Sequence, residues 1–435
     1  MNYNIEDKIL LIFKSEKLIE RICLDDCFGF LAEKSQLQVT VTQYTLDKNG
    51  QRKKKIHQLQ IENEETFQKL QDDLSELFQT EKQKLRSLLV IINPFSGKKR
   101  ALQDFHNLVA PMLYEARIQY KTQTTRSKQH VGQIIERIDF DVVNELVLFG
   151  GDGLLHEILN IINSWSEGKK CEFLDKICFS VLPGGSGNSI SAALLIERGW
   201  HGRARKVSVE NSAFLLIKGT MAKIPICENI LNQSTAILSV EKSAIGFGAA
   251  STYNAENFRS VGPARYTVAA IHEIYKCSDY QMPEFNFAEI EEHLWSVDYS
   301  EYRKISGSEE VLLEKSTKNG KEICIKDYFS TVTIHNNPSF YETMDPDGVP
   351  FVQLGDPFFA ISFILPISRW QMVDFFLKVQ QGNQAFVLSP LNSIFLADKL
   401  SMKFNEEEKI TIDGEAYSCK EWQISMNGPQ IKIIS

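Results

Sequence analysis

A chain of 435 residues, of which 43% are hydrophobic and 24% charged, is long enough for two or three domains with substantial cores. Its formal net charge of −8 argues against a generally basic protein that binds nucleic acid. The eight cysteines are scattered, and no neighbouring cysteine and histidine complete a zinc set, so reduced cytosolic thiols are expected.

The sequence shows no sign of export or of a membrane span. The first residues carry charges throughout, and no apolar run approaches the roughly 18 residues that a spanning helix needs. We therefore expect a cytoplasmic protein without a signal peptide.

Residues 1–86 predict a small β-rich module closed by a helix. Short, partly alternating apolar segments favour strands, Asn49-Gly50 marks a turn, and apolar residues from Phe67 to Phe78 share one helix face. The predicted strands cover residues 9–13, 18–22, 37–44 and 56–61. This pattern resembles a pleckstrin-homology module. The basic run Arg52 to Lys55 either contacts anionic lipid or is a solvated turn.

Three strand–turn–helix units follow within residues 87–208. Apolar runs end at Ile92, Phe149 and Leu182, and each is followed by a turn that contains glycine. Such turns let backbone N–H groups converge on an anion, and three units in succession predict a parallel, doubly wound sheet with its ligand at the carboxyl ends of the strands. None of the turns is a Walker A loop or a Gly-x-Gly-x-x-Gly motif.

The middle turn, Gly150-Gly-Asp-Gly153, contains an acid. A carboxylate would repel a phosphate, so Asp152 is expected either to take a proton from an acceptor hydroxyl or to hold a metal.

Residues 209–435 predict a β-rich second domain, which we expect to be a sandwich. Helices are expected near residues 265–275 and 367–380, and the polar stretch 281–327 is expected to be an inserted flexible loop. The predicted strands cover residues 214–219, 235–240, 329–335, 358–365, 385–388, 400–404, 409–413 and 431–434.

Motifs from Leu88 to the end of the chain resemble the superfamily of diacylglycerol kinases and sphingosine kinases, and sphingosine kinases most of all. The paired Gly-Asp-Gly and Pro-Gly-Gly-Ser-Gly-Asn turns at this spacing are specific to the superfamily. The matching segments are Asn93-Pro94 with Gly97, Thr124-Thr125 with His130, Gly150 to Glu157, Leu182 to Asn188, Gly246-Phe247, Phe258-Arg259, Gly262 to Tyr266 and Asp413-Gly414-Glu415.

The resemblance implies a lipid kinase that uses ATP and Mg²⁺, with Asp152 as the general base for the primary hydroxyl of the lipid. His156 and His130 are expected to pack or cap helices rather than to take part in catalysis, and no metal ligand is assigned. The residues expected at the nucleotide are Asn93, Pro94, Phe95, Thr125, Gly150, Glu157, Gly185, Ser186, Gly187, Arg259, Arg265, Asp413, Gly414 and Glu415.

One position departs from the family pattern. Sphingosine kinases have an acidic residue at the position of Ala250, where it meets the polar headgroup of the lipid. A desolvated ammonium needs a carboxylate partner. Without an acid at this position, the substrate could be sphingosine, ceramide, diacylglycerol or another long-chain alcohol. Ser251, Thr252 or an acid from elsewhere in the chain could take over this contact. Asp152 and Ala250 are the two positions expected to meet the substrate.

We therefore predict a kinase that converts sphingosine to sphingosine 1-phosphate, with a kinase for a neutral long-chain lipid as the alternative. The expected partners are a long-chain lipid and a membrane surface that the protein visits peripherally, and a homodimer is compatible with the sequence. Two rivals are an NAD kinase and a lipid-binding protein without activity. The motif Asp413-Gly-Glu415 and the pair Arg259 and Arg265 argue against both.

Overall fold

The computed structural model describes residues 2–78, 86–185, 187–200, 207–276, 284–289, 312–317, 320–325, 330–338, 352–364, 368–380 and 392–435. Among the helices in these ranges, none is both long enough and apolar enough to cross a membrane.

The N-terminal region contains two antiparallel three-stranded sheets and one helix that share a core. The sheet orders are β1-β2-β3 and β4-β5-β6, and alternate residues such as Val39 and Val41 pack against Phe67 and Leu70 of the helix. The four predicted strands and the helix are confirmed, whereas β1 and β4 were not predicted. The likeness to a pleckstrin-homology module stays a prediction. The elements are β1 (Asn2–Glu6), β2 (Ile9–Lys14), β3 (Lys17–Cys23), β4 (Cys27–Glu33), β5 (Gln38–Leu46), β6 (Arg52–Gln60) and α1 (Glu64–Phe78).

The basic run at Arg52 begins β6 and is not a solvated turn. Arg52 is 7% exposed, and its guanidinium carbon lies 3.4 Å from the ring centre of Phe214 and 4.5 Å from that of Trp200. The guanidinium also forms an ion pair with Asp26 at 2.8 Å. Arg52 therefore anchors the N-terminal region to the rest of the chain, because a cation stacked on aromatic rings and paired with an acid is stabilised there.

A six-stranded sheet with the order β11-β23-β10-β9-β7-β8 follows, and β8, β7, β9, β10 and β23 run parallel. Its edge strand β11 runs antiparallel to β23. The predicted α/β architecture is thus confirmed. The elements are β7 (Ser87–Ile92), α2 (Ala101–Asp104), a π-helical turn (Phe105–Val109), α3 (Ala110–Glu115), β8 (Gln119–Thr124), α4 (Lys128–Glu136), β9 (Glu145–Phe149), α5 (Asp152–Asn163), α6 (Glu167–Lys176), β10 (Cys178–Leu182), α7 (Ser189–Glu197), α8 (Val209–Lys218), β11 (Met221–Pro225) and β23 (Gln430–Ile434).

Both faces of this sheet are covered, which explains why its strands are almost continuously apolar. Leu89 and Ile91 of β7 face a core shared with α5 and α7, whereas Leu88 and Val90 face a second core shared with α8. Successive side chains along each strand point to opposite faces of the sheet and so pack into both cores, as expected for a doubly wound sheet.

Two sequence predictions in this region are wrong. Residues 214–219 were expected to form a strand, but residues 214–218 belong to helix α8 and Gly219 follows its end. An apolar run alone does not distinguish a buried helix from a buried strand. The missed signal is Ser208, whose side chain caps the helix by accepting from the N–H of Asn211. Residues 431–434 were assigned to the β-rich domain, yet β23 pairs with β10 and β11 in the α/β sheet.

The remaining strands join one sheet, which has eleven strands in the described residues and the main order β13-β12-β22-β21-β14-β18-β19-β20. A β-rich region is therefore confirmed, while the sandwich and the residue limits of the three domains stay predictions. The elements are β12 (Cys227–Leu231), β13 (Thr235–Ser239), β14 (Lys242–Gly246), α9 (Phe247–Asn254), a 3₁₀ segment (Ala255–Ala264), α10 (Arg265–Lys276), β15 (Glu284–Glu289), β16 (Leu312–Thr317), β17 (Gly320–Ile325), β18 (Thr331–His335), β19 (Phe359–Ile364), α11 (Arg369–Gln380), β20 (Asn392–Ala397), β21 (Lys399–Ile412) and β22 (Glu415–Ser425).

The expected loop over residues 281–327 contains paired strands in the parts that are described. β17 pairs with both β15 and β16, and β15 pairs with β21. The acidic and polar composition of the stretch misled the sequence prediction, because composition alone does not exclude a strand. The strand predicted at residues 385–388 lies outside the described residues.

Candidate active site

The three glycine turns meet at the carboxyl edge of the parallel sheet and touch through their backbones. Gly151 has a φ of +89°, and a methyl group there would lie 2.6 Å from the Cα of Gly185. A methyl group on Gly97, whose φ is +49°, would lie 2.7 Å from the carbonyl oxygen of Gly184. Only glycine allows both this conformation and this approach, so the turns form one continuous backbone surface.

Asp152 is the first residue of α5 and also contacts the start of α7. Its Oδ2 accepts a hydrogen bond from the N–H of Ser189 at 2.8 Å, and its Oδ1 accepts one from the N–H of Ile190 at 3.2 Å. The side chain is buried, which raises the pKa of Asp152, while these bonds and one from Glu241 oppose the increase. The N-termini of two helices thus hold one carboxylate in place.

Glu241 precedes β14, and its carboxyl group is hydrogen-bonded to that of Asp152. Burial raises the pKa of Glu241 well above its ordinary value, and the nearby charges of Asp152 and Asp413 add to this effect. The hydrogen bond to Asp152 raises the pKa of Glu241 further, which favours the neutral form of the Glu241 carboxyl. The side chain is 8% exposed, and in the described part of the chain its Oε1 has no hydrogen-bond partner.

Asp413 and Gly414 form the two-residue turn between β21 and β22. Both have positive φ, 49° and 82°, and Ile412 pairs with Glu415 across the turn. Asp-Gly is a preferred sequence for such a hairpin. The carboxylate of Asp413 accepts hydrogen bonds from the N–H groups of Val240 and Glu241 at 3.0 and 2.9 Å. The hairpin tip therefore fixes the backbone that carries Glu241.

His156 connects this hairpin to α5. Its Nδ1 lies 3.0 Å from Oδ2 of Asp413, and its Nε2 lies 3.0 Å from the hydroxyl of Tyr417. One turn later, the side chain of Asn160 both accepts from the N–H of Leu238 and donates to its carbonyl. Burial and the charges of nearby acids raise the pKa of Tyr417 to about 12. The α/β and β-rich sides are thus joined by specific polar contacts.

A cleft of about 850 Å³ lies between these two sides. Gly153 borders it, and a methyl group at this position would meet nothing within 4 Å, so the start of α5 is open to the cleft. Lys242 and Arg265 add positive charge to its lining. The predicted site residues that line the cleft are Asn93, Gly150, Asp152, Glu157, Gly185, Gly187, Arg265, Asp413, Gly414 and Glu415.

Other predicted site residues are not on the cleft lining. Pro94 and Phe95 belong to the first glycine turn, and Phe95 is 65% exposed. Thr125 follows β8 and is buried, and its N–H donates to the carbonyl of Ile92. Ala250 is 3% exposed within α9, so the structure gives no support for a headgroup contact there. Ser186 and the side chain of Arg259 lie outside the described residues.

Several cleft residues were missed by reasoning from the sequence. Glu241, Lys242, Tyr253 and Tyr417 all line the cleft, but no glycine turn or motif marks them. The Asp-Gly hairpin at Asp413 was a usable signal, since it predicts a tight turn that brings Tyr417 back across from β21. His156 was expected to pack, and its buried hydrogen bonds agree with that interpretation.

The arrangement provides a buried carboxylate, an open helix start and cationic side chains around one cleft. These features suit the transfer of an anionic group to a hydroxyl, in which positioning and charge neutralisation do most of the work. In the described part of the chain, no group of three or more histidine, cysteine, aspartate or glutamate side chains is arranged to hold a metal ion.

Residues 87–227 match the family model of the diacylglycerol kinase catalytic domain. Sphingosine kinase 1 of Arabidopsis thaliana is 24% identical over 355 residues, which cover 77% of this chain and 70% of that protein. Sphingosine kinase 1 of Mus musculus is 30% identical over 198 residues, which cover 45% of this chain and 50% of that protein. The chain thus spans only half of the mouse protein.

A crystal structure described as a diacylglycerol kinase from Bacillus anthracis str. Sterne is similar in fold. The TM-score is 0.51 at 16% identity, and the match covers 80% of this chain and 96% of the bacterial one. The similarity at this identity extends the fold beyond the matched catalytic domain. The chain thus contains a segment that matches the diacylglycerol kinase catalytic domain, and it is similar to sphingosine kinases over this segment and beyond it.

Proposed function

We propose that this protein transfers the γ-phosphate of ATP to the primary hydroxyl of a sphingoid long-chain base. The observation that carries the proposal is the placement of Asp152, a buried carboxylate in a glycine turn that lines the cleft between the α/β and β-rich sides. The sphingosine kinase relatives supply the class of substrate.

The cleft fits the phosphates of ATP. Gly153 leaves the N-terminus of α5 open, and backbone N–H groups at a helix start favour negative charge. The side chain of Arg265 lines the same space. We infer that the turns at Asn93, Gly150 and Gly185 position the nucleotide and that Arg265 neutralises charge on the group being transferred. ATP itself supplies the phosphoryl group.

Asp152 is the proposed general base. Its two oxygens accept backbone N–H groups from α7, which fix their direction and leave lone pairs for a hydroxyl proton. Because burial raises its pKa, the carboxylate is a better proton acceptor than an exposed aspartate. The lipid hydroxyl would lose its proton to Asp152 as its oxygen attacks the phosphorus.

A magnesium ion is expected with the nucleotide. The ion would neutralise negative charge on the phosphates as the phosphoryl group is transferred. Glu157 and Glu415 line the cleft and could contribute one oxygen each. Asp413 has its carboxylate engaged by backbone N–H groups and His156, so we give it a supporting role.

The long-chain substrate suggests that the protein visits membranes peripherally, because such lipids reside in bilayers. Sedimentation with vesicles that contain sphingosine should bring down part of the protein, and vesicles of neutral lipid alone are the control. The domain limits at residues 86 and 208 and the homodimer stay predictions.

An assay with labelled ATP tests the function. Purified protein is offered sphingosine, ceramide, diacylglycerol and NAD separately, and the products are separated by thin-layer chromatography. Sphingosine should be labelled fastest. Labelling of ceramide or diacylglycerol alone would make the protein a neutral lipid kinase, and labelling of NAD alone, or of none of the four, would refute the proposal.

A further inference from the structure

This inference rests on the proposed function, which requires the cleft to accommodate the positive charge of a long-chain base. A long-chain base carries an ammonium on the carbon next to the one that bears the reacting hydroxyl. An ammonium that leaves water needs an anionic partner, and Ala250 supplies none. Any partner must therefore lie within reach of Asp152, because the ammonium and the hydroxyl are so close to each other.

Glu241 meets this requirement by its position. It lines the cleft and is hydrogen-bonded to Asp152, while its Oε1 is buried and makes no hydrogen bond with any described residue. A buried polar atom is nearly always satisfied, so an orphaned carboxyl oxygen beside a reactive carboxylate indicates a missing donor. An ammonium has three N–H donors and can satisfy it.

We propose that Glu241 binds the ammonium of the long-chain base while Asp152 receives the proton of its hydroxyl. The two carboxyl groups then contact the ammonium and the hydroxyl, which lie on neighbouring carbons of the substrate. Glu241 is thus a determinant of substrate specificity that no recognised motif of the sequence marks.

The charges around the pair fit this assignment. Asp152, Glu241 and Asp413 are close enough to influence one another, and Lys242 is the neighbouring cation. Burial and the neighbouring acids raise the pKa values of Asp152 and Glu241, so a cation beside the pair stabilises their negative charge. A bound ammonium supplies that cation. A neutral lipid gives the pair no such compensation.

The test compares Glu241→Gln with the unmodified protein on two substrates. One is sphingosine, and the other is the matched long-chain lipid in which a hydroxyl replaces the amino group. Glutamine keeps the size of the side chain and a donor for Asp152, so the fold and ATP binding should persist. We expect the preference in kcat/KM for the amine to fall roughly 10- to 100-fold, as is typical for a lost hydrogen bond to a charged group. Most of this change should be in KM.

Two further variants separate a direct contact from a structural effect. Glu241→Asp keeps the charge and should retain more of the preference than Glu241→Gln. Glu145→Gln removes another buried carboxyl, one that binds Arg86 and Ser180 away from the cleft, and should leave the preference unchanged. Melting temperatures confirm that each variant is folded.

The outcomes distinguish the two proposals. If the unmodified protein phosphorylates the hydroxyl analogue but not sphingosine, the proposed function itself fails. If sphingosine is a good substrate and Glu241→Gln slows both lipids equally, Glu241 acts only through Asp152 and the ammonium contact is refuted. The ammonium contact is also refuted if Glu241→Gln keeps the same preference for the amine as the unmodified protein.

Discussion

The two sides of the cleft are built in different ways. On the α/β side, the turns at Gly97, Gly151 and Gly185 contact one another through backbone atoms, and side chains contribute little. On the β-rich side, the lining depends on side chains such as Glu241 and Asp413, held by hydrogen bonds between distant segments. A backbone surface needs glycine at fixed positions, whereas a side-chain network needs only compatible partners. The first leaves a motif in the sequence and the second does not.

The largest expected effect comes from removing the proposed base, Asp152, which lines the cleft between the two sides. Asp152→Asn keeps the shape of the side chain but removes the proton acceptor, so turnover should fall by roughly two to four orders of magnitude. ATP binding should persist, which equilibrium binding measures. The exposed Asp175→Asn serves as a control and should retain full turnover. Retention of more than about a tenth of the turnover would show that Asp152 is not the base.

Ala250→Asp tests whether α9 is packed or faces the headgroup. Since Ala250 is 3% exposed, the new carboxylate would be buried without a partner and should cost about 3–5 kcal/mol of unfolding free energy. Thr252→Asp, two residues along the same helix, places the charge on the cleft lining and should cost much less. Equal stability of the two variants in chemical denaturation would contradict this packing.

The backbone surface can be broken at Gly151. Alanine there would need a φ of +89° and would collide with Gly185, so we expect a loss on the order of 2–4 kcal/mol in unfolding free energy together with weaker ATP binding. Gly168→Ala in α6 is the matched control, because its methyl group would meet nothing within 4 Å. This control should be stabilised by about 0.5–1 kcal/mol. A change of the same sign in the unfolding free energy of both variants would argue against close contact between the turns.

The side-chain network can be weakened at Asp413. Asparagine cannot accept from Val240, Glu241 and His156 at once, so some buried donors lose their partner at a cost of about 1–3 kcal/mol each. Because the same bonds hold Glu241, the preference for an amine-bearing lipid should also fall. Urea denaturation and the paired-substrate assay measure the two effects. A loss of stability without any loss of preference would separate Asp413 from the position of Glu241.

The smallest effect concerns pH. Folding raises the pKa of both Asp152 and Glu241, so the folded protein retains a proton that the unfolded chain releases. The stability they contribute is therefore present at low pH and lost as the pH rises through their folded pKa values. Glu241→Gln removes much of this dependence. The melting temperature of the unmodified protein, relative to that of the variant, should decline as the pH rises above the ordinary pKa range of a carboxyl group. A constant difference would mean that folding does not raise these pKa values.

The same contrast explains which parts of the fold and of the site could be predicted from the sequence. The three parallel strands, their turns and the position of Asp152 could be predicted, because each depends on neighbouring residues. Helix α8 was missed because the apolar run from Ala213 to Ile217 has no helical period, and such a run is consistent with either a strand or a helix. Glu241 could not be found, since its meaning depends on Asp152, Asp413 and the register of β14 beside β21.

The placement of β23 has a consequence for how the protein is made. The sheet that carries the glycine turns includes residues 430–434 between β10 and β11, so its strand order is complete only after residue 434 has been synthesised, whereas β10 ends at Leu182. Until then, the edge of β10 has open hydrogen-bonding groups and its apolar faces are only partly covered, which favours misassembly. The nascent chain would thus leave the ribosome with its α/β sheet unfinished, and this stage is where chaperones would be needed most.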